Sequence, residues 1–168
     1  MSRVDQAYPN CDVHARLGQG SAEGLRILDQ YMRSRHTVIV FDLATNDVAD
    51  PPSFEANLES LWRRIGSREL VLINTWRQDP GNSHHDVNQV LERFTIRHPR
   101  RAFLVDWASH VDLHAESLDR VTDHVHFSIE AYRHRVAMTR AAIESALGRS
   151  ADRDRDDRLG DDRGRHEL

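Results

Sequence analysis

Short apolar runs that end in polar residues constrain the fold of this chain more than any other feature. The run Val38-Ile39-Val40-Phe41 is rich in β-branched residues, lacks Pro and Gly, and leads to Thr45-Asn46-Asp47. A strand buried on both faces has this composition. Residues 70–73 and 101–105 repeat the pattern and are followed by Asn74 and Asp106. We therefore predict central strands of a parallel sheet.

Segments with helical spacing separate these runs. Apolar residues recur every three or four positions in residues 21–32, 54–65, 87–96 and 129–147, which predicts four helices with one apolar side each. The alternation in residues 11–17 predicts a further strand before the first helix. The order β-α-β-α-β-α-β followed by a last helix predicts an α/β fold, with helices on both faces of a parallel sheet.

Local signals set the expected helix ends. Ser21, Ser53 and Ser128 stand where an N-cap is expected, because their hydroxyls can accept a bond from the first helical turn. Gly66 stands where the second helix should end. His98-Pro99 should close the third helix, since the residue before Pro avoids helical geometry.

Composition bounds the class of protein. The chain has 168 residues and a net charge of -4, so one domain is expected and nothing favours nucleic acid as a partner. The single Cys11 excludes an intrachain disulfide and a Cys-based zinc cluster. No apolar run approaches the ~18 residues of a membrane span, and residues 1–10 carry no signal pattern. As written, the chain is expected to be cytoplasmic.

The two termini differ from the middle. Residues 1–10 are polar and unpatterned, and residues 149–168 are mostly Asp, Arg and Gly. Such segments bury little apolar surface, so we predict disorder at both ends. The predicted domain is therefore residues 11–148.

Polar residues at strand ends and in one loop are the candidate site. Asn46 follows a predicted strand, at the edge of an open sheet where ligands bind, and its side-chain amide can donate to an oxyanion. Gly18 can offer a backbone N–H to the same charge. Asp123 and His126 are spaced so that the carboxylate can orient the imidazole as a general base. Separately, each has an ordinary explanation, such as a turn at Asn46.

Taken in order, these residues resemble the SGNH hydrolases, also called GDSL-type esterases and acetyltransferases. Gly18 is similar to the oxyanion glycine of the second sequence block, Ala44-Thr45-Asn46-Asp47 to the third block, and Asp123-His124-Val125-His126 to the Asp-x-x-His of the last. The resemblance implies a three-layer α/β/α fold, acyl-ester hydrolysis or O-acyl transfer, His126 as base, Asp123 as its orienter, and Asn46 and Gly18 as oxyanion donors. It implies no cofactor.

Two departures from the family pattern matter. Ala44 replaces a glycine, which makes the backbone less permissive. No apolar strand followed by Gly-Asp-Ser precedes Cys11, so the block with the nucleophilic serine, and with it the family's first central strand, is missing. Ser21 is better explained as a helix cap and Cys11 as a core residue than as a replacement nucleophile.

Two explanations account for the missing block with the nucleophilic serine. Either the true start lies upstream and this is a truncated enzyme, which would also permit an extracytoplasmic location, or the chain is a catalytically silent module that binds a ligand or partner. The expected ligand is an acyl ester of a small molecule or of a cell-surface glycan. The glycan is implied by the resemblance to SGNH domains that O-acylate cell-surface glycans. A third hypothesis is a metal site at His110 and His114, or at His84-His85-Asp86. The alternative is that these are solvated loop histidines. Oligomeric state is open.

Overall fold

The computed structural model describes residues 11–32, 37–79, 82–115, 118 and 125–163. In chain order the strands are β1 (Val38–Phe41), β2 (Glu69–Ile73), β3 (Gln78–Asp79), β4 (Asn82–Ser83) and β5 (Ala102–Val105). A parallel sheet has the order β1-β2-β5, and β3 and β4 form a separate antiparallel hairpin. The predicted parallel α/β fold is confirmed.

The helices are α1 (Ser21–Tyr31), α2 (Pro51–Ile65), α3 (His85–Arg97), α4 (Trp107–Leu113) and α5 (Ile129–Arg163). Side chains of α2 and α3 form one buried cluster, against which α1 packs, and side chains of α4 and α5 belong to a second cluster. The two clusters lie on opposite faces of the sheet, which gives three layers.

Alternation along the strands explains this division. In β2, Leu70 and Leu72 belong to the cluster under α2 and α3, whereas Val71 and Ile73 belong to the cluster under α5. All five residues of β2 are buried. Successive side chains of a strand point to opposite faces, so a central strand with a helical layer on each side is buried at every position, and the four residues after Glu69 are all apolar.

Two of the predicted helix starts are wrong by a short distance. Helix α2 begins at Pro51, and its N-cap is Asp50, whose side chain accepts a bond from the Ser53 backbone N–H over 3.1 Å. Proline suits the first helical turn, where its missing N–H is not needed. Helix α1 has Gly20 at its N-cap, because Ser21 is already helical.

The other end signals are confirmed. The Ser128 hydroxyl accepts from the Ala131 N–H at the start of α5. Gly66 ends α2 with φ of 62°, a left-handed conformation that favours glycine. Helix α3 ends at Arg97, with His98 as its C-cap.

The predicted strand at residues 11–17 is not formed. This segment is irregular and Leu17 is 99 % exposed. Alternation alone does not make a strand, since a strand also needs a hydrogen-bonded neighbour. Among the described residues, strand β1 is one of the two edge strands of the sheet, and residues 11–17 do not pair with it.

The tail from Arg149, predicted to be disordered, is helical as far as residue 163, where it continues helix α5. Arg149 donates to the Pro99 carbonyl over 2.9 Å, and Arg153 forms an ion pair with the buried Glu69. These long-range contacts supply the anchoring that composition does not reveal. Residues 1–10 and 164–168 lie outside the described residues. No described helix is long and apolar enough to cross a membrane.

Candidate active site

Asn46 lies at the carboxyl end of β1, where the chain forms a single 3₁₀ turn, Ala44–Asn46. Its side chain is exposed, and its Nδ2 atom donates to the Gln19 carbonyl oxygen over 2.9 Å. A primary amide has two N–H groups, so this bond fixes the orientation of the amide and leaves a second N–H for a ligand. Ala44, which replaces the family's glycine, is 1 % exposed and packs in the core.

The loop of Gly18 contacts the turn of Asn46 through Gln19. Gly18 has φ of 71°, and a Cβ added there would meet no atom within 4 Å. The glycine is therefore required by the backbone conformation and not by crowding. The structure thus brings the loops of two predicted oxyanion donors together, while their catalytic roles remain predictions.

Ser21 is built into the framework of the site. It is fully buried, its backbone N–H donates to Asp47 Oδ2 over 2.7 Å, and its hydroxyl accepts from Asn57 Nδ2 over 2.8 Å. A hydroxyl so enclosed cannot attack a substrate, which agrees with its interpretation as a structural residue. Asp47 holds α1 against the Asn46 turn, and Gly20 leaves room for it, since a Cβ there would lie 3.1 Å from Asp47 Oδ1.

His126 lies in the segment that leads into α5, and its side chain is exposed. The next residue, Phe127, is 5 % exposed and packs against Trp76, Trp107 and Tyr132. The buried phenylalanine anchors the backbone on which the exposed imidazole stands. Asp123, the predicted orienter of His126, lies outside the described residues, so the pairing of the two stays a prediction.

The segment after β2, residues 74–77, connects the neighbouring strand ends. Thr75 Oγ1 lies 2.7 Å from Thr45 Oγ1, and Arg77 Nη1 donates to the Thr45 carbonyl over 3.2 Å. On the other side, the Asn88 side chain accepts from the Thr75 N–H and donates to the Thr75 carbonyl. The turn that carries Asn46 is therefore held by the next strand end.

Asn74 and Asp106 link the ends of β2 and β5. Asn74 Nδ2 donates to Asp106 Oδ1 over 2.7 Å, and Asn74 Oδ1 accepts from the Ala108 N–H over 2.8 Å. Burial raises the pKa of Asp106, but hydrogen bonds from Ser109 and Asn74 outweigh burial and leave that pKa below its ordinary value. A carboxylate that stays ionised and caps α4 is a structural group, not an acid catalyst.

The histidines proposed for a metal have other contacts. The rings of His110 and His114 stack with centroids 4.3 Å apart, and His84 Nδ1 bonds to the backbone of Arg77. Within the described part of the chain, no group of three or more His, Cys, Asp or Glu residues is arranged to hold a metal ion.

Three residues that support the site have no clear signal in the sequence. Gln19 acts through its carbonyl oxygen, which any residue has. Asn57 reaches Ser21 from 36 positions along the chain, and Asn88 reaches Thr75 from 13 positions. Only the tertiary fold brings these partners together.

The fold is similar to that of several solved structures with an α/β architecture. The C-terminal catalytic domain of peptidoglycan O-acetyltransferase A from Streptococcus pneumoniae superposes with a TM-score of 0.67, at 14 % identity and 86 % coverage of each chain. A member of the lipolytic protein G-D-S-L family from Veillonella parvula superposes with a TM-score of 0.64, at 16 % identity, covering 83 % of this chain and 82 % of that one.

A lipase/acylhydrolase from Enterococcus faecalis has a TM-score of 0.61 and 20 % identity, covering 74 % of this chain and 70 % of that one. No sequence-family model matches the chain, and no curated protein matches it. The structural neighbours define the fold: this chain has the fold of the SGNH hydrolases. The resemblance seen in the sequence is confirmed at that level.

Proposed function

We propose that this chain carries the oxyanion-binding and base-bearing parts of an SGNH-type acyl-ester hydrolase or O-acyltransferase. The observation that carries the proposal is the Asn46 amide, which is exposed at the carboxyl end of β1 and oriented by the Gln19 carbonyl. Such a donor stabilises the charge that develops on an acyl carbonyl oxygen. His126 is the proposed base, Asp123 its orienter, and Gly18 the second oxyanion donor.

We propose further that the nucleophilic serine comes from a segment that pairs with β1. The Thr37 carbonyl accepts from the Glu69 N–H, so alternate residues of β1 from Thr37 onward bond to β2. The N–H and C=O groups of Val38 and Val40 then point away from β2, to an edge of the sheet on which the described residues place no strand, and Val40 is 40 % exposed. A parallel strand on this edge would end beside the Asn46 turn.

The proposed substrate is an acyl ester, and an acylated cell-surface glycan is the favoured kind. The peptidoglycan O-acetyltransferase domain has the highest TM-score of the three neighbours described and equal coverage of both chains. This supports the glycan only by similarity of fold, and one fold serves many substrates.

A second candidate function is a silent module that binds an acyl ester without cleaving it. The burial of Ser21 favours this reading, because that hydroxyl is held by Asn57 and is closed to substrate. Under this proposal the Asn46 turn still forms a ligand crevice, and binding requires no nucleophilic serine.

The deciding experiment compares residues 1–168 with a version extended to the nearest upstream in-frame start, both assayed on a short-chain p-nitrophenyl ester. We expect the extended form to hydrolyse the ester and His126→Ala to lower its rate by about 10² to 10⁴-fold, as for loss of a general base. His98→Gln is the control, because His98 packs on Trp62 at the opposite end of the sheet.

The results separate the two candidates. Activity in the extended form that depends on His126, with an inert short form, supports the truncated enzyme. A folded, inert short form with no upstream Gly-Asp-Ser contradicts the enzyme and supports the binding module.

A further inference from the structure

The 74–77 segment contacts both halves of the proposed site through alternate residues. Thr75 and Arg77 face the turn that carries Asn46: the Thr75 and Thr45 hydroxyls are 2.7 Å apart, and Arg77 Nη1 lies 3.2 Å from the Thr45 carbonyl oxygen. Asn88 clamps the Thr75 backbone with bonds of 3.0 and 2.7 Å. One side of the segment is therefore joined to the oxyanion turn.

Trp76, between those two residues, contacts the segment of the proposed base. Its ring meets Phe127 edge-on, with centroids 5.5 Å apart and an interplanar angle of 65°. Phe127 follows His126 directly and is 5 % exposed. A buried aromatic ring in such a contact limits how far the adjacent backbone can move.

The orientation of the Trp76 ring is itself held. Its Nε1–H donates to Asp112 Oδ1 over 2.8 Å, and Trp107 contacts the same Phe127 with centroids 5.3 Å apart. Asp112 and Trp107 both belong to α4. The segment after β2, helix α4 and the segment that leads into α5 therefore meet at Phe127.

We infer that Thr75 and Trp76 are positioning residues, which set the separation between the Asn46 amide and the His126 imidazole. The inference rests on the proposed function for the roles of Asn46 and His126, but the contacts are independent of any reaction. Displacing a reacting group by about 1 Å can cost about 10²-fold in rate, so a rigid spacer between donor and base matters for catalysis. Neither residue is proposed to touch the substrate.

The test uses NMR of the full 168-residue chain, with the ring signals of His126 and the side-chain amide signals of Asn46 as readouts. Trp76→Phe removes the bond to Asp112 and shortens the ring, and we expect it to move the His126 signals. Thr75→Val removes the hydroxyl contact at nearly constant shape, and we expect it to move the Asn46 amide signals. Trp62→Phe is the matched control, since Trp62 packs on Phe94 and His98 away from this segment.

Asp112 supplies a second pair of variants that keeps the tryptophan. Asp112→Asn retains an acceptor for the indole N–H and should leave the His126 signals in place, whereas Asp112→Leu should move them as Trp76→Phe does. Asp112 is exposed, so both variants are expected to fold. A purely structural role predicts lower stability in Trp76→Phe and Trp62→Phe alike, with His126 unmoved in both.

Unmoved His126 signals in Trp76→Phe and Asp112→Leu overturn the inference, whatever the activity assay shows. If the signals move but no form of the protein has esterase activity, the positioning role is supported and the proposed enzyme function is contradicted. In an active extended form, the same variants should lower kcat at unchanged KM, because positioning acts on the reacting atoms and not on substrate affinity.

Discussion

Arg153→Ala is the sharpest test of how the last helix is held. Glu69 begins the central strand β2 with a side chain that is 0 % exposed, and Arg153, 84 residues later on α5, pairs with one of its carboxylate oxygens. The other oxygen, Oε2, is buried without a hydrogen-bond partner among the described residues. Removing Arg153 therefore leaves a buried carboxylate without its main partner.

The expected loss in free energy of unfolding is about 3 kcal/mol, the lower end of the 3–5 kcal/mol seen when one member of a buried ion pair is removed. The lower end applies because Arg153 is 36 % exposed and because Arg101 also interacts with Glu69. For a chain of this size, about 3 kcal/mol corresponds to roughly 6–12 °C in Tm. Urea unfolding followed by circular dichroism measures the first quantity, and a thermal melt the second.

Two control variants test whether the ion pair between Arg153 and Glu69 anchors the helix. Arg140→Ala removes an exposed arginine from the same helix, whose pair with Glu144 is open to water on both sides, and should cost no more than about 0.5 kcal/mol. The double variant Glu69→Leu/Arg153→Leu removes both charges and should recover most of the loss. If Arg153→Ala costs no more than Arg140→Ala, or if the double variant is the least stable of all, the ion pair does not anchor the helix.

Three further predictions concern the site and the framework. Asn46→Ala should lower kcat of an active extended form by about 10² to 10³-fold, as for loss of one oxyanion donor, and equal rates would exclude that role. Burial, with His114 and His134 nearby, lowers the pKa of His110 below its ordinary value of 6.5. The unfolded state then binds more protons than the folded state, so the free energy of unfolding should fall as the pH drops below about 6.5. His110→Gln should make the urea midpoint depend less on pH between pH 7 and 5. Gly66→Ala places a side chain at a residue with φ of 62° and should lower the free energy of unfolding by about 1 kcal/mol. An unchanged free energy of unfolding in a urea titration would contradict backbone strain at this position.

The site could be predicted only as a set of separate residues. Asn46 was predictable because a polar residue after a buried strand lies where ligands bind in an open sheet. The orientation of Asn46 by Gln19 was not predictable, because the acceptor is a backbone carbonyl oxygen, which every residue has. The contact between Trp76 and Phe127 joins residues 51 positions apart, and no spacing rule predicts that contact.

The sequence by itself determined the parallel α/β fold and the approximate limits of helices α1, α2 and α3. Those features depend on periodicity and end signals, which act within a few residues along the chain. Only the tertiary structure decided that residues 11–17 form no strand, that Ser21 is closed to substrate, and that α5 continues to Arg163. Each of these depends on a partner brought from far along the chain: a strand neighbour, Asn57, or Glu69. The free energy of such contacts arises from burial and charge in three dimensions, which a one-dimensional pattern does not contain.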